Sequence, residues 1–269
     1  MSKATIVIVN GSPHADGRVT RLVEQVAAGV ESGGAEPVVL RLIEHSINPC
    51  LNTLGWPCWP DKACQQAADD TPKVKAVVEA ADGLVVAAPV YWSSINGLTK
   101  NFLDKMRLSG FEGKPALAIT MAGGSGNGLV LSIKAVHGFF AWGYRPLPPL
   151  PVCRYNFEAA LREGLDRGRA MAERAAEGPR PFQSWAEQLN WERQLPFADW
   201  QLLDEKLYLA GLVVESARPR DDASRGALAE AGRALAEARR RMAAGLQDEA
   251  ASFIEKAYKQ GRRSHGEPD

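Results

Sequence analysis

The 269-residue sequence predicts a doubly wound α/β fold, a five-stranded parallel sheet between two helical layers, with a helical extension after it. Three observations predict it. Apolar runs of strand length alternate with helix-period segments over roughly the first 150 residues. Several of those runs are near-continuous, as parallel strands covered on both faces are. Three of them end in loops rich in glycine and hydroxyl residues, at the strand ends where such sheets bind ligands.

The first strand, Thr5 to Val9, delivers into Asn10-Gly11-Ser12-Pro13-His14-Ala15-Asp16-Gly17. A helix follows, with Val19, Leu22, Val23, Val26, Ala27 and Val30 falling on one stripe. Strand, Gly/Ser turn and helix in that order build an anion pocket from backbone N–H groups and a helix N-terminus. The turn is not a P-loop, because no Gly-Lys-Ser/Thr follows, and not a dinucleotide fingerprint, because its glycines are only Gly11 and Gly17. A short loop with a hydroxyl at Ser12 suits a terminal monophosphate.

Pro37 to Leu42 is the second strand and Gly83 to Ala88 the third. The third runs into Pro89-Val90-Tyr91-Trp92-Ser93-Ser94-Ile95-Asn96-Gly97, ahead of a helix whose stripe is Leu98, Phe102, Leu103 and Met106. Tyr91 and Trp92 read as core or subunit-interface aromatics or as a wall for a flat ligand, and their place at a strand end favours the wall. Ala116 to Met121, the fourth strand, opens into Ala122-Gly123-Gly124-Ser125-Gly126-Asn127-Gly128, where a ligand can touch backbone amides. A proline-rich stretch around Leu147 to Val152 supplies the fifth strand, and Phe157 to Ala176 a closing helix. A phosphate pocket, an aromatic wall and an amide edge describe the site of a flat heterocycle with one phosphate; flavin mononucleotide (FMN) fits better than a dinucleotide.

Gly178-Pro179-Arg180-Pro181 then breaks the chain. The expected organisation is a cofactor domain over 1–177, a helical extension over 178–262 and a disordered tail over 263–269. In the extension, Trp185, Leu189, Trp191, Leu195, Phe197 and Trp200 are too apolar for a solvated tail. Leu228, Leu235 and Met242 recur every seven residues with Ala231 and Ala238 between them. That seam serves either a helical layer packed on its own chain or a dimerisation or lid element.

Lys+Arg and Asp+Glu both number 32, so net charge gives no argument for nucleic acid or an anionic membrane surface. Without a membrane-length apolar run or a signal-peptide pattern, the expectation is a cytoplasmic protein with no membrane partner. His14, His45 and His137 are scattered and read as surface or packing residues.

Asn10-Gly11-Ser12-Pro13 with Gly17 and Leu22, then Pro89-Val90-Tyr91-Trp92 with Gly97, Leu98, Lys100, Asn101, Phe102 and Asp104, then Ala122-Gly123-Gly124, together resemble the flavodoxin-like NAD(P)H-dependent FMN reductase family. The resemblance covers about the first 150 residues. It implies FMN as cofactor, with its phosphate on Ser12, His14, Gly17, Arg18, Val19 and Thr20. Its ring would lie on Pro89, Val90, Tyr91, Trp92, Ser93, Asn96, Gly123 and Gly124. His14 stands where the family often has arginine, and Val19 where threonine or serine is common.

The implied activity is hydride transfer from NAD(P)H to FMN, then reduction of a small acceptor: a quinone, a nitro or azo compound, a free flavin or a metal centre. The cofactor carries that chemistry, so no side chain is singled out as catalytic. A homodimer or homotetramer is implied as well. Two alternatives share the fold. A flavodoxin or iron-sulfur-flavoprotein type of electron carrier would not use NAD(P)H directly, and the flavodoxin type is disfavoured by the balanced charge; a binding protein that has lost flavin would purify colourless.

The segment Cys50, Cys58, Cys64 and Asp69-Asp70 is similar in placement to the cysteine cluster of the family's iron-sulfur flavoproteins. A four-iron cluster normally takes four thiolates, so a cluster here needs Cys153 or a non-cysteine fourth ligand. A remnant loop of packed thiols is the preferred reading. The spacings match no common zinc site, and Asp69-Asp70 reads as a helix N-cap before Thr71-Pro72.

Overall fold

A computed structural model of the protein describes residues 3–51, 68–124 and 126–267. The chain order is β1 (Thr5–Asn10), α1 (Arg18–Ser32), β2 (Glu36–Arg41), a 3-10 turn (Leu42–Glu44), α2 (Thr71–Glu79), β3 (Gly83–Tyr91), β4 (Ser94–Ile95), α3 (Gly97–Lys105), β5 (Pro115–Ala122), α4 (Leu129–Phe140), β6 (Arg145–Pro146), β7 (Leu150–Cys153), α5 (Phe157–Ala176), α6 (Trp185–Arg193), α7 (Leu202–Ser216), α8 (Asp222–Ala243) and α9 (Gln247–Ser264). The sheet runs β2-β1-β3-β5-β6, with β4 hydrogen-bonded to β3 and β7 to β5. The four pairs along that path are parallel. From β1 the chain moves outward to β2 and then crosses back to β3, so the strand order reverses between β1 and β3. Sheets of this kind bind ligands beside such a reversal, at the strands' carboxyl ends.

Alternate residues of each central strand enter different cores, which is why the strands are apolar throughout. Ile6, Ile8, Val85, Leu117 and Ile119 pack with the stripe of α1 and with Met171 and Ala172 of α5. Val7, Val9, Leu84, Val86, Ala116 and Ala118 pack with Val74 and Val78 of α2, Phe102 of α3 and Val136 and Phe140 of α4. Glycine lets α1 and α5 approach closely: a Cβ on Gly29 would lie 2.1 Å from the Leu165 carbonyl oxygen, and one on Gly168 2.2 Å from that of Val26.

The fifth strand differs from expectation. It is split into β6 and β7 around Leu147-Pro148-Pro149, because proline has no N–H to give to the ladder. The third strand is longer than expected, continuing past Ala88 to Tyr91.

Two compact units are present. The first comprises Met1–Gly123, Gly128–Val152 and Phe157–Ala198, so it extends beyond residue 177. Gly178 does turn the chain, with φ +79°. Long-range contacts nevertheless hold the following segment to the sheet. Arg180 N–H donates to the Gly113 carbonyl at 3.0 Å, and Trp191 Nε1 donates to the Pro146 carbonyl at 3.0 Å. The Arg145 guanidinium lies over Phe182 and Trp191 at 4.1 and 4.7 Å and pairs with Glu187 at 2.7 Å.

The second unit comprises Gly124–Asn127, Cys153–Asn156 and Asp199–Asp269. Ala234, Leu235 and Ala238 of α8 meet Ala250, Ile254 and Ala257 of α9, together with Ala210 of α7. The heptad-like seam thus works inside the chain's own helical layer. The expected disorder from residue 263 is corrected for 263–267: α9 continues to Ser264, and the Glu267 carboxylate accepts hydrogen bonds from Arg154, Tyr155 and Arg262. Among the described residues no helix is long and apolar enough to cross a membrane.

Candidate functional site

The loop after β1 is shaped by side chains that its own backbone recruits. Asn10 Oδ1 accepts from Ser12 N–H at 2.9 Å, and Asn10 Nδ2 donates to Thr20 Oγ1 at 3.1 Å. Thr20 Oγ1 donates to the His14 carbonyl at 2.9 Å, and His14 N–H donates to Ser12 Oγ at 3.1 Å. The loop thereby curls over the start of α1. Gly17 is the N-cap and brings no side chain, and the first turn carries no acidic residue. Arg21 N–H is the first to bond back, to the Gly17 carbonyl at 3.0 Å. The N–H groups of Arg18, Val19 and Thr20 precede it at the positive end of the helix dipole.

The expected phosphate residues therefore divide by what they offer. Ser12 is buried, and its hydroxyl accepts from His14 N–H at 3.1 Å and lies 3.4 Å from the His14 carbonyl oxygen, while His14 and Arg18 are exposed. The Val19 side chain lies in the core, so this residue offers only its N–H. The hydroxyl proton of Thr20 goes to the His14 carbonyl, so its side chain shapes the loop. Arg18 and Arg21 place their guanidinium groups over the Phe157 ring at 5.7 and 4.9 Å.

The second loop is a tight hairpin. Tyr91 pairs with Ser94 across Trp92-Ser93, whose φ angles are +51° and +63°. Two positive φ values make a mirror-image turn of the kind that matches strand twist and normally uses Asn-Gly. A bulky tryptophan there costs on the order of 1–3 kcal/mol. The consequence is display: Tyr91 is 46% exposed and Trp92 fully so.

Asn96 joins the first and second loops. As N-cap of α3 its Oδ1 accepts from Thr99 N–H at 3.3 Å and Thr99 Oγ1 at 2.6 Å, while its Nδ2 donates to the Gly11 carbonyl at 2.8 Å. Expected beside the ring, Asn96 is a latch between loops. Gly11 permits the closeness, since a Cβ there would sit 2.1 Å from Thr99 Oγ1. The latch carried no signal in spacing, because 85 residues separate its partners.

Gly128, with φ +85°, brings the third loop against the second: a Cβ would lie 2.3 Å from Ser93 Cα. Gly123 and Gly124 differ from it. Both are exposed, and a Cβ on either would meet nothing within 4 Å. The open space beside Gly123, the unused first-turn N–H groups of α1 and the displayed aromatics fit a flat ligand with a terminal phosphate.

The cysteine segment is only partly described. Cys50 is half-buried and Cys153 buried; Cys58 and Cys64 lie outside the described residues. The aspartates after it do more than cap a helix. Asp70, at the N-cap of α2, makes no side-chain cap bond and instead accepts from Ser46 N–H at 2.8 Å. Asp69 accepts from Thr71 N–H and Asn48 N–H, each at 2.9 Å, and from the Lys105 ammonium. Both side chains of that ion pair are fully buried. Burial works against the charged carboxylate, but the Lys105 ammonium and the Thr71 and Asn48 donors outweigh it and hold Asp69 well below the usual carboxylate range. Among the described residues no group of three or more His, Cys, Asp or Glu is arranged to hold a metal.

An iron-sulfur flavoprotein of Methanocaldococcus jannaschii is 25% identical over 139 residues, 50% of this chain and 70% of the relative. FMN reductase (NADPH) of Pseudomonas aeruginosa is 31% identical over 180 residues, 64% of this chain and 90% of the relative. The crystal structure of RosB with a bound 8-demethyl-8-formylriboflavin-5'-phosphate intermediate shares the fold, with TM-score 0.52 and 17% identity over 70% of this chain and 85% of that one. The family model for NADPH-dependent FMN reductase matches residues 4–154, more than half of the chain. The chain belongs to the NADPH-dependent FMN reductase family, flavodoxin-like oxidoreductases that use FMN and NAD(P)H.

Proposed function

We propose that the protein takes electrons from NAD(P)H through FMN to a small-molecule acceptor: a quinone, a nitro or azo compound, a free flavin or a metal centre. The observation that carries this reading is the joining of the loops at the carboxyl ends of β1, β3 and β5. Asn96 is bonded to the Gly11 carbonyl at 2.8 Å, and Gly128 lies against Ser93.

In this reading the phosphate is held by the Ser12 hydroxyl and the N–H groups of Arg18, Val19 and Thr20, with Gly17 leaving the helix end open and His14 and Arg18 at its rim. Pro89, Val90, Tyr91, Trp92 and Ser93 wall the ring. Gly123 presents its N–H donor to the ring's acceptor edge. Asn96 and the Thr20 side chain act by holding the loops still. When bound, FMN supplies hydride acceptance and electron donation, and the protein supplies position and electrostatics. The first compact unit is the flavin-binding one. The full display of Trp92 supports a site completed by a second subunit, in a homodimer or homotetramer.

The test is the spectrum of the full-length protein, titrated with FMN and then mixed anaerobically with NADH or NADPH. Oxidised flavin absorbs at about 450 nm. Saturable FMN binding, followed by bleaching of that band with either nucleotide, supports the reading. A protein that takes up no flavin overturns it, and one that binds FMN but is bleached only by dithionite is an electron carrier. A broad absorbance at longer wavelength that dithionite removes would reveal an iron-sulfur cluster.

A further inference from the structure

The helical unit contains a cavity of about 330 Å³ between α7, α9 and the short segment that carries Asn127. Its size falls at the lower end of small-molecule pockets. Leu203 and Leu209 of α7 and Ile254 and Tyr258 of α9 form its walls, an apolar surface broken by few polar groups.

Those polar groups are unequal in charge. The Lys206 ammonium donates to the amide oxygen of Asn127, a neutral partner. An ammonium has three donors, so hydrogen bonds remain to be given. Glu255 also lines the cavity, but its carboxylate is held by Lys259 one helical turn away at 2.6 Å. The lining thus combines apolar walls with a cation whose hydrogen-bond partner, the Asn127 amide, carries no charge. Burial of a flat apolar body and a charge-assisted hydrogen bond to an oxyanion would both be satisfied there.

We propose that this cavity is a binding site for a flat aryl carboxylate. Leu203, Leu209, Ile254 and Tyr258 enclose the rings, and Lys206 receives the carboxylate. The cavity's α7 and α9 walls lie outside residues 4–154, the part of the chain that the reductase family shares. The proposal is therefore independent of where FMN binds.

The test is isothermal titration of the FMN-loaded, full-length protein with 2-naphthoate and, in parallel, with the neutral 2-naphthylmethanol. Wild type is expected to bind naphthoate saturably and more tightly than the alcohol. Lys206→Met should weaken naphthoate by about tenfold or more and leave the alcohol within about threefold. Ala251 also lines the cavity and is solvent-exposed, so Ala251→Trp plugs it from the surface side and should remove binding of both ligands. Circular dichroism and thermal melting check that each variant is folded, and the Lys206 arm decides alone if the tryptophan variant is not. Absence of saturable naphthoate binding to wild type overturns the proposal. So does binding that either folded variant leaves unchanged, which would put the ligand elsewhere, the flavin face included.

Discussion

Replacing Gly11 by alanine should uncouple the first loop from the second. The added Cβ would lie 2.1 Å from Thr99 Oγ1 and 3.1 Å from the Ala87 carbonyl oxygen, where ordinary contact begins at 3.4 Å. Thr99 is fully buried and its hydroxyl is held by Asn96 at 2.6 Å, so it has no simple way to turn aside. The loop must move by roughly 1 Å, and two hydrogen bonds of 2.8 Å go with it: Asn96 Nδ2 to the Gly11 carbonyl, and Gly11 N–H to the Ala87 carbonyl. At about 1 kcal/mol for each bond and about 1–3 kcal/mol for overpacking, the loss of stability is about 3–5 kcal/mol. FMN affinity should fall by at least about tenfold, because a site held by such a loop tolerates only about 0.5 Å of displacement. Urea titration gives the first quantity, and quenching of flavin fluorescence on binding gives the second. Thr99→Ala removes the atom that is struck, so the double variant should lose less than the two single variants added together. Gly11→Ala within about 0.5 kcal/mol of wild type, or strict additivity with Thr99→Ala, would refute the steric account.

Three further outcomes are expected. Lys105→Met leaves the fully buried Asp69 carboxylate without its cation and should cost about 3–5 kcal/mol in urea titration, with Asp69→Asn in the same chain recovering part of the loss. His137, with Nε2 buried and unpartnered, has its pKa pushed by burial from 6.5 down to about 4. The unfolded chain takes up that proton first, so the neutral form's contribution is lost as pH falls from about 6.5 to about 4, by up to about 3 kcal/mol. His137→Leu should therefore show a smaller drop in urea midpoint between pH 7 and pH 4.5 than wild type. Arg145→Ala removes the cation shared by Phe182, Trp191 and Glu187 and should cost about 1–3 kcal/mol, read as earlier proteolytic cleavage within 178–198 under limited trypsin or chymotrypsin.

The central strands were legible in the sequence because a strand buried on both faces has no polar alternate to confuse its reading. Thr5 to Val9 and Ala116 to Met121 are such runs, and both are strands within a residue or two of their expected ends. The fifth was less legible, since prolines divide it into two short pairings at the sheet edge. The hairpin at Trp92-Ser93 was not legible: its turn uses residues that local preference argues against, and only the surrounding contacts hold them there. A local Gly-Pro break at 178–179 likewise suggested a boundary that long-range contacts of Arg145 and Trp191 override.

Local order along the chain was enough to determine the alternation of strands and helices, the glycine-capped turn before α1 and the family to which the first part belongs. Each depends on residues close together in sequence, where periodicity, glycine and helix ends act directly. Tertiary structure alone decided which of the expected site residues commit their polar groups to holding the loops. Thr20 and Asn96 carry groups able to touch a cofactor, yet their protons go to the His14 and Gly11 carbonyls. A hydroxyl or amide can satisfy either partner, and the choice belongs to whichever polar group the fold brings within reach.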